Sequence, residues 1–226
     1  MIKFDSETLT NYLKFKLDKI EDEFTFDDLS KIDELFLDYQ EEAIDLRVVD
    51  NFKNLKRIEL INFTVSNEDI DIMERLSKLD DITFDRCNFE EENNLTKLHL
   101  SGLSLINCFI DNCDFVYEMK DLKELSLIHL NVDTNKLNTL SNLTHLQLSY
   151  SSLSNEEIDI NSLEELYIDN TNINKIDFTL KLPKLRILSI NEEQYLNNKD
   201  LVKDLIKNKI EVLNDGIIRF EGDTYE

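Results

Sequence analysis

The sequence predicts an α/β solenoid, an arc of about eight stacked turns that each place one short parallel strand on the concave face. Three observations predict it. An apolar template, LxxLxxLxL, returns eight times. Its third positions, residues 35, 58, 82, 103, 125, 146, 166 and 188, follow one another at 23, 24, 21, 22, 21, 20 and 22 residues. The closing LxL pair alternates inward and outward, the signature of a strand with one buried face. A single turn cannot bury that face alone, so neighbouring turns share one core and the array needs a cap at each end.

The elements follow in chain order. Residues 1–24 form an N-terminal cap, in which Ser6 to Ile20 sets Leu9, Tyr12, Leu13, Lys16, Leu17 and Ile20 at helical spacing, with Ser6 as N-cap. Residues 25–196 carry the repeats: Leu29/Ile32/Leu35/Leu37, Phe52/Leu55/Ile58/Leu60, Leu76/Leu79/Ile82/Phe84, Leu100/Leu103/Leu105, Met119/Leu122/Leu125/Leu127, Leu140/Leu143/Leu146/Leu148, Ile160/Leu163/Leu166/Ile168 and Leu182/Leu185/Leu188/Ile190. Between 98 and 115 a five-residue spacing competes (Leu98/Leu100, Leu103/Leu105, Cys108/Ile110, Cys113/Phe115). Centring the fourth strand on Leu103 keeps the period even, and a short pentapeptide-like coil is the alternative. Residues 197–226 form the C-terminal cap and tail, with Leu201, Val202, Leu205 and Ile206 on one helical face and a last strand at Ile210–Leu213. One proline, Pro183, and three scattered glycines, Gly102, Gly216 and Gly222, leave no flexible linker, so the chain reads as one domain over 1–226.

Four apolar positions recurring at about 22 residues resemble leucine-rich repeat proteins, and Thr25-Phe-Asp-Asp-Leu29 behind an N-terminal helix resembles the cap and first repeat of the bacterial internalin-like class. The resemblance covers roughly residues 25 to 196 and implies a protein-binding module. That class usually continues LxLxxNxI, with an Asn whose side chain satisfies backbone groups of adjacent turns. Here the column reads Gln40, Phe63, Cys87, Cys108, Leu130, Ser151, Thr171 and Glu193, without a single Asn.

A formal charge of −23 disfavours nucleic acid and anionic membrane and favours a basic partner, although an acidic surface also serves solubility alone. The runs Glu21-Asp22-Glu23 and Glu90-Glu91-Glu92 read as solvated turns. MIKFDSETLT is not a signal peptide, no apolar run approaches the ~18 residues of a membrane span, and no wall anchor is visible. Three cysteines without an export signal read as reduced thiols, and the expected location is the cytoplasm, with secretion by a route lacking a cleaved signal left open and the oligomeric state open, a monomer being favoured.

Catalytic chemistry lacks residues. No glycines cluster to cradle phosphate, GxSxG, HExxH and CxxC are missing, and the chain is read as no enzyme, without cofactor or metal. His99, His129 and His145 are the neutral-pH bases, and each reads first as a surface polar residue. Cys87 and Cys108 fall in adjacent repeats, about one strand spacing of ~4.8 Å apart. They read first as small buried groups filling the asparagine column, with a redox switch or soft-metal pair as the sharper alternative.

Function is therefore sought in the outward strand columns. Across Glu34, Phe36, Asp38, Tyr39 and their counterparts in later repeats, nine acids face two bases, Arg57 and Arg86. Ile106 and Ile128 stand side by side where water should demand polarity, with His129, His145, Tyr150 and Tyr167 near them and Glu124, Glu165 and Asp169 around them. An apolar, aromatic centre in a charged surround is the anatomy of a protein-binding hot spot. The expected function is a non-enzymatic interaction module taking a protein or peptide, basic in character, on this acidic face. An inhibitor or immunity-type protein masking a basic partner such as a nuclease is the alternative, and an enzyme or nucleic-acid mimic ranks last.

Overall fold

The computed structural model describes residues 1–39, 44–215 and 218–219. Column residue Gln40 and the tail beyond 219 lie outside the described residues. The chain divides into two compact units: Met1–Leu103 with Asn107–Ile110, and Ser104–Ile106 with Asp111–Glu226.

In the N-terminal unit, the helix Glu7–Leu17 starts where the Ser6 hydroxyl accepts from the Leu9 amide at 3.0 Å, and it buries Leu9 and Leu13. It stops at Asp18, which turns left-handed (φ 51°), so Ile20 does not continue the apolar helical face as the spacing suggested: it is 86% exposed. Residue 2 pairs antiparallel with residue 24. Thr25 and Asp28 close a reciprocal capping box on the short helix Phe26–Leu29, and Lys19 grips Asp28 at 2.7 Å, which with the Thr25 bonds holds that carboxyl well below the ordinary range.

The strands Glu34–Asp38, Arg57–Ile61 and Asp81–Asp85 are parallel, with Leu35, Ile58 and Ile82 in register and Leu37, Leu60 and Phe84 in register. All six are buried, as the template requires. Each strand begins with a doubled hydrogen bond. Asp33 O accepts from the amides of Lys56 and Arg57 (2.8 and 3.1 Å), and Lys56 O from those of Asp80 and Asp81 (2.9 and 3.0 Å). Asp80 O then accepts from Ser101 and Gly102 (2.9 and 3.0 Å), so Gly102 stands where Asp81 stands one turn earlier and Leu103 stands where Ile82 stands. The strand is Gly102–Ile106, with Leu103 and Leu105 buried, and the period centred on Leu103 is the observed one. Gly102 lies under the Asp81 carboxylate: a Cβ there would sit 2.4 Å from its Oδ2.

The C-terminal unit repeats the design. Its strands Glu124–Ile128, His145–Gln147, Glu165–Tyr167, Ile187–Ile190 and Glu211–Asn214 run parallel with Leu125, Leu146, Leu166, Leu188 and Val212 in register. Doubled bonds recur at Lys123, Thr144 and Glu164. The last strand lies one residue later than the Ile210–Leu213 reading, and an antiparallel partner, Ile218–Arg219, follows it. The helix Lys199–Lys207 buries Val202 and Leu205. A preceding helix, Glu192–Asn197, is opened by an Asn191–Gln194 capping box. In both units the chain returns to the next strand through short helical segments such as Asn67–Glu74 and Asp177–Lys181, because returns this brief leave room for one or two turns only.

The asparagine column shows how the cores are closed without asparagine. Cys87 Sγ donates to Leu60 O at 3.2 Å, Cys108 Sγ to Phe84 O at 3.3 Å, and Ser151 Oγ to Leu127 O at 2.8 Å while accepting from the Leu130 amide at 3.0 Å. Each side chain thus ties its turn to the last inward carbonyl of the strand before. In the final repeat Gln194, one position beyond the column residue Glu193, does this work: its amide donates to Ile168 O (3.0 Å) and Ile173 O (2.9 Å).

Candidate protein-binding face

Strand register sets the outward residues of the C-terminal unit in rows. Glu124, His145, Glu165 and Ile187 form one, and Ser126, Gln147, Tyr167 and Ser189 the next. The same register, two residues further along, lines up Ile128, Ser149, Asp169 and Asn191, and the Tyr150 amide donates to Asp169 O at 3.1 Å. In the first row His145 stands between two glutamates. Its Nε2 lies 3.3 Å from Glu165 Oε1, and its Nδ1 lies 2.9 Å from Thr144 Oγ1. Tyr167 OH donates to the other Glu165 oxygen at 3.1 Å. Burial, then the charge and bond of Glu165, push the Tyr167 phenol up to about 12. Glu165 is therefore a fixed, half-buried acceptor rather than a swinging surface charge.

The second feature was invisible in the apolar pattern. The residue four places after the third template position adopts left-handed backbone in six successive repeats: Asn62, Arg86, Asn107, His129, Tyr150 and Asn170, with φ between 52° and 63°. The chain turns off each strand there. Asn tolerates that conformation because its short side chain bonds locally, whereas bulkier residues in it are strained by about 1–2 kcal/mol. Among these six, His129 and Tyr150 are adjacent, and their rings stack at 5.0 Å with 26° between planes; Tyr150 is 52% exposed.

The rows also correct the sequence reading. Ile106 and Ile128 are half-buried, not exposed. Asp169 is not a rim charge: it is only 5% exposed, and Ser189 Oγ donates to its Oδ1 at 2.7 Å. Beside it Ser149 is 3% exposed, and its hydroxyl has no hydrogen-bond partner among the described residues. Nothing in the sequence singled Ser149 out, because its burial arises from the turns on either side. Glu124 and His129 are exposed, and His145, Glu165 and Tyr167 half-buried, at the places the columns assigned them.

The N-terminal unit presents its own rows: Glu34, Arg57, Asp81; Phe36, Glu59, Thr83; Asp38, Ile61, Asp85. Five acids meet one base. Arg57 lies between Glu34 (3.6 Å) and Asp81 (3.7 Å), and burial followed by the Asp85 charge raises the Glu59 carboxyl. Phe36, 46% exposed, is an aromatic contact that the columns contained but did not single out.

Cys87, Cys108 and Cys113 are buried, and burial pushes the Cys87 thiol up to about 12. Among the described residues, no three His, Cys, Asp or Glu converge to hold a metal ion. At pH 8 a thiol with a pKa of about 12 is thiolate to roughly one part in 10⁴, and the thiolate is the reactive form. Native chain mixed with Ellman's reagent at pH 8 should show no fast reaction, and three thiols should titrate after denaturation. Rapid labelling of Cys87 in the native state would favour the redox and soft-metal alternatives.

No family model matches the chain. Among solved structures it is similar to an internalin (inlF) from Listeria monocytogenes, at 19% identity and a TM-score of 0.59 over 88% of this chain and 59% of that one. It is likewise similar to internalin C2 (inlC2) of the same organism, at 20% identity and 0.60 over 86% and 90%. A third likeness is to TLR13 in complex with ssRNA13, at 16% identity and 0.58 over 84% and 30%. By sequence, 165 residues are 27% identical to a protein of Wolbachia sp. subsp. Brugia malayi (strain TRS) whose name ties it to regulation of pyruvate, phosphate dikinase. The chain spans 60% of the length of that protein.

Proposed function

We propose, from the leucine-rich repeat fold that this chain adopts, a non-enzymatic interaction module that binds a protein or peptide on the outward face of its strands. Ile106, Ile128, His129 and Tyr150 form the contact centre, and Glu124, His145, Glu165 and Tyr167 form its polar surround. The observation that carries this reading is the stacked His129–Tyr150 pair: two large rings, one half open to solvent, in a backbone conformation that three other repeats fill with Asn. Strain that is kept where an unstrained residue is available points to use.

The acids decide the partner's character. With a net charge of −23, and five acids against one base in the N-terminal rows, phosphate backbones are repelled and a basic protein is attracted. The RNA of the TLR13 complex therefore does not carry over. The same surplus favours, as a second reading, an inhibitor that covers the basic site of another protein, such as a nuclease. No described helix is long and apolar enough to cross a membrane. Three buried cysteines suit a reducing compartment, and we place the chain in the cytoplasm as a monomer.

Capture from native lysate at low and physiological salt, with wild type beside Ile128→Asp, tests the reading. A basic protein held by wild type, weakened by salt and lost from a variant with an unchanged circular dichroism melt, is the expected result. Equal capture by both would move the contact off this face.

A further inference from the structure

We propose that Ser149, Tyr150 and Asp169 form an arginine-selective subsite within this face, so that the partner presents a guanidinium there. The inference rests on the reading of the face as a binding surface and adds the chemical group that occupies it.

Ser149 and Asp169 are neighbours in register, and both are almost wholly buried although they stand on the outward row. The Ser149 hydroxyl is unpartnered. A buried hydroxyl left without a partner is destabilising, so a ligand donor or acceptor reaching it gains an interaction that the free chain lacks. Asp169 keeps a carboxylate on the same row, and Ser189 is the one described residue seen to donate to it. Tyr150 follows Ser149 in the chain and ties its amide to Asp169 O, and its half-exposed ring stacks on His129.

These three groups ask for one chemistry. A cation with several planar N–H donors can lie on the ring, pair with the carboxylate and donate to the hydroxyl together. Guanidinium fits all three demands, whereas ammonium is compact, more strongly hydrated and does not stack. Seating it requires the side chains over Ser149 to turn aside, the kind of rotamer change common at interfaces whose backbone stays put. The surrounding acids make a cation the favoured visitor.

The test uses the full chain and three blocked tripeptides, acetyl-Gly-X-Gly-amide, with X arginine, lysine or citrulline, titrated by amide NMR at low salt. Arginine is expected to shift the amides of 149, 150 and 169 and to bind at least fivefold tighter than citrulline and twofold tighter than lysine. Ser149→Ala and Asp169→Asn should each weaken arginine at least threefold. Ser149→Ala should meanwhile leave the melting temperature unchanged or raised, because it removes an unpaired buried hydroxyl, so its lost binding cannot be lost folding. Equal binding of arginine and citrulline, shifts scattered over the acidic surface, or variants that bind as wild type would each overturn the subsite. If Ile128→Asp loses a captured protein while arginine shows no preference, the face stands and the subsite alone fails. If arginine binds as described but no captured protein depends on Ile128, the subsite stands and the module reading fails.

Discussion

Gln194→Leu is expected to remove about 3 kcal/mol of stability, far more than the loss of one surface amide would. The side chain is 3% exposed and holds three backbone groups at once. Its Nε2 donates to Ile168 O and Ile173 O, and its Oε1 accepts from the Asn191 amide at 2.9 Å. Leucine fills similar space but pairs with none of them, and each buried group left unpaired costs about 1–3 kcal/mol. For a chain of this size the melting point should fall by roughly 6–12 °C. Neighbouring turns of a solenoid depend on one another, so amide exchange should quicken first at Ile187–Ile190 and Glu211–Asn214. A loss below about 1 kcal/mol would mean that water satisfies those carbonyls, and that the asparagine column here has no successor at its end.

Tyr150→Asn should separate stability from binding. Asn is what the chain itself places at this turn in Asn62, Asn107 and Asn170, so relief of left-handed strain, about 1–2 kcal/mol, offsets loss of the ring stack, about 0.5–1.5 kcal/mol. The melt is expected to move by no more than about 1 kcal/mol in either direction. Binding should fall at least thirtyfold, the effect of removing a hot-spot aromatic of about 2 kcal/mol. A variant that binds as wild type would leave Tyr150 as an ordinary turn residue with an unusual side chain. A variant that unfolds would make the His129–Tyr150 stack a structural brace.

How much was legible in the sequence follows from what burial does and does not encode. Every third template position from Leu35 to Leu188 lies in a strand, because a shared core demands an apolar residue once per turn and 20 to 24 residues is the length of a turn. Even the contested Leu103 was recoverable, since even spacing is what stacked strands require. Side-chain burial on the outward face was not recoverable: Asp169 looks like any exposed acid until the neighbouring turn is laid against it. The left-handed column escaped because Arg86 and Tyr150 are poor formers of that conformation; the geometry is imposed by the turn and not by their own preference. Gln194 escaped because the last turn departs from the column by one residue, and Ile20 because Asp18 ends its helix three residues early.

The most direct test of the central claim, that the strand face around Tyr150 meets the partner, is site-specific photo-crosslinking. A benzophenone-bearing phenylalanine analogue would replace Tyr150 in one preparation and Leu180, an exposed residue of the Asp177–Lys181 return segment, in another. Irradiation of lysate-loaded samples, followed by mass spectrometry, should give an adduct to the same basic protein from position 150 and none from position 180. Adducts from position 180 alone, with position 150 silent while the complex still forms, would contradict the account and place the partner on the return segments.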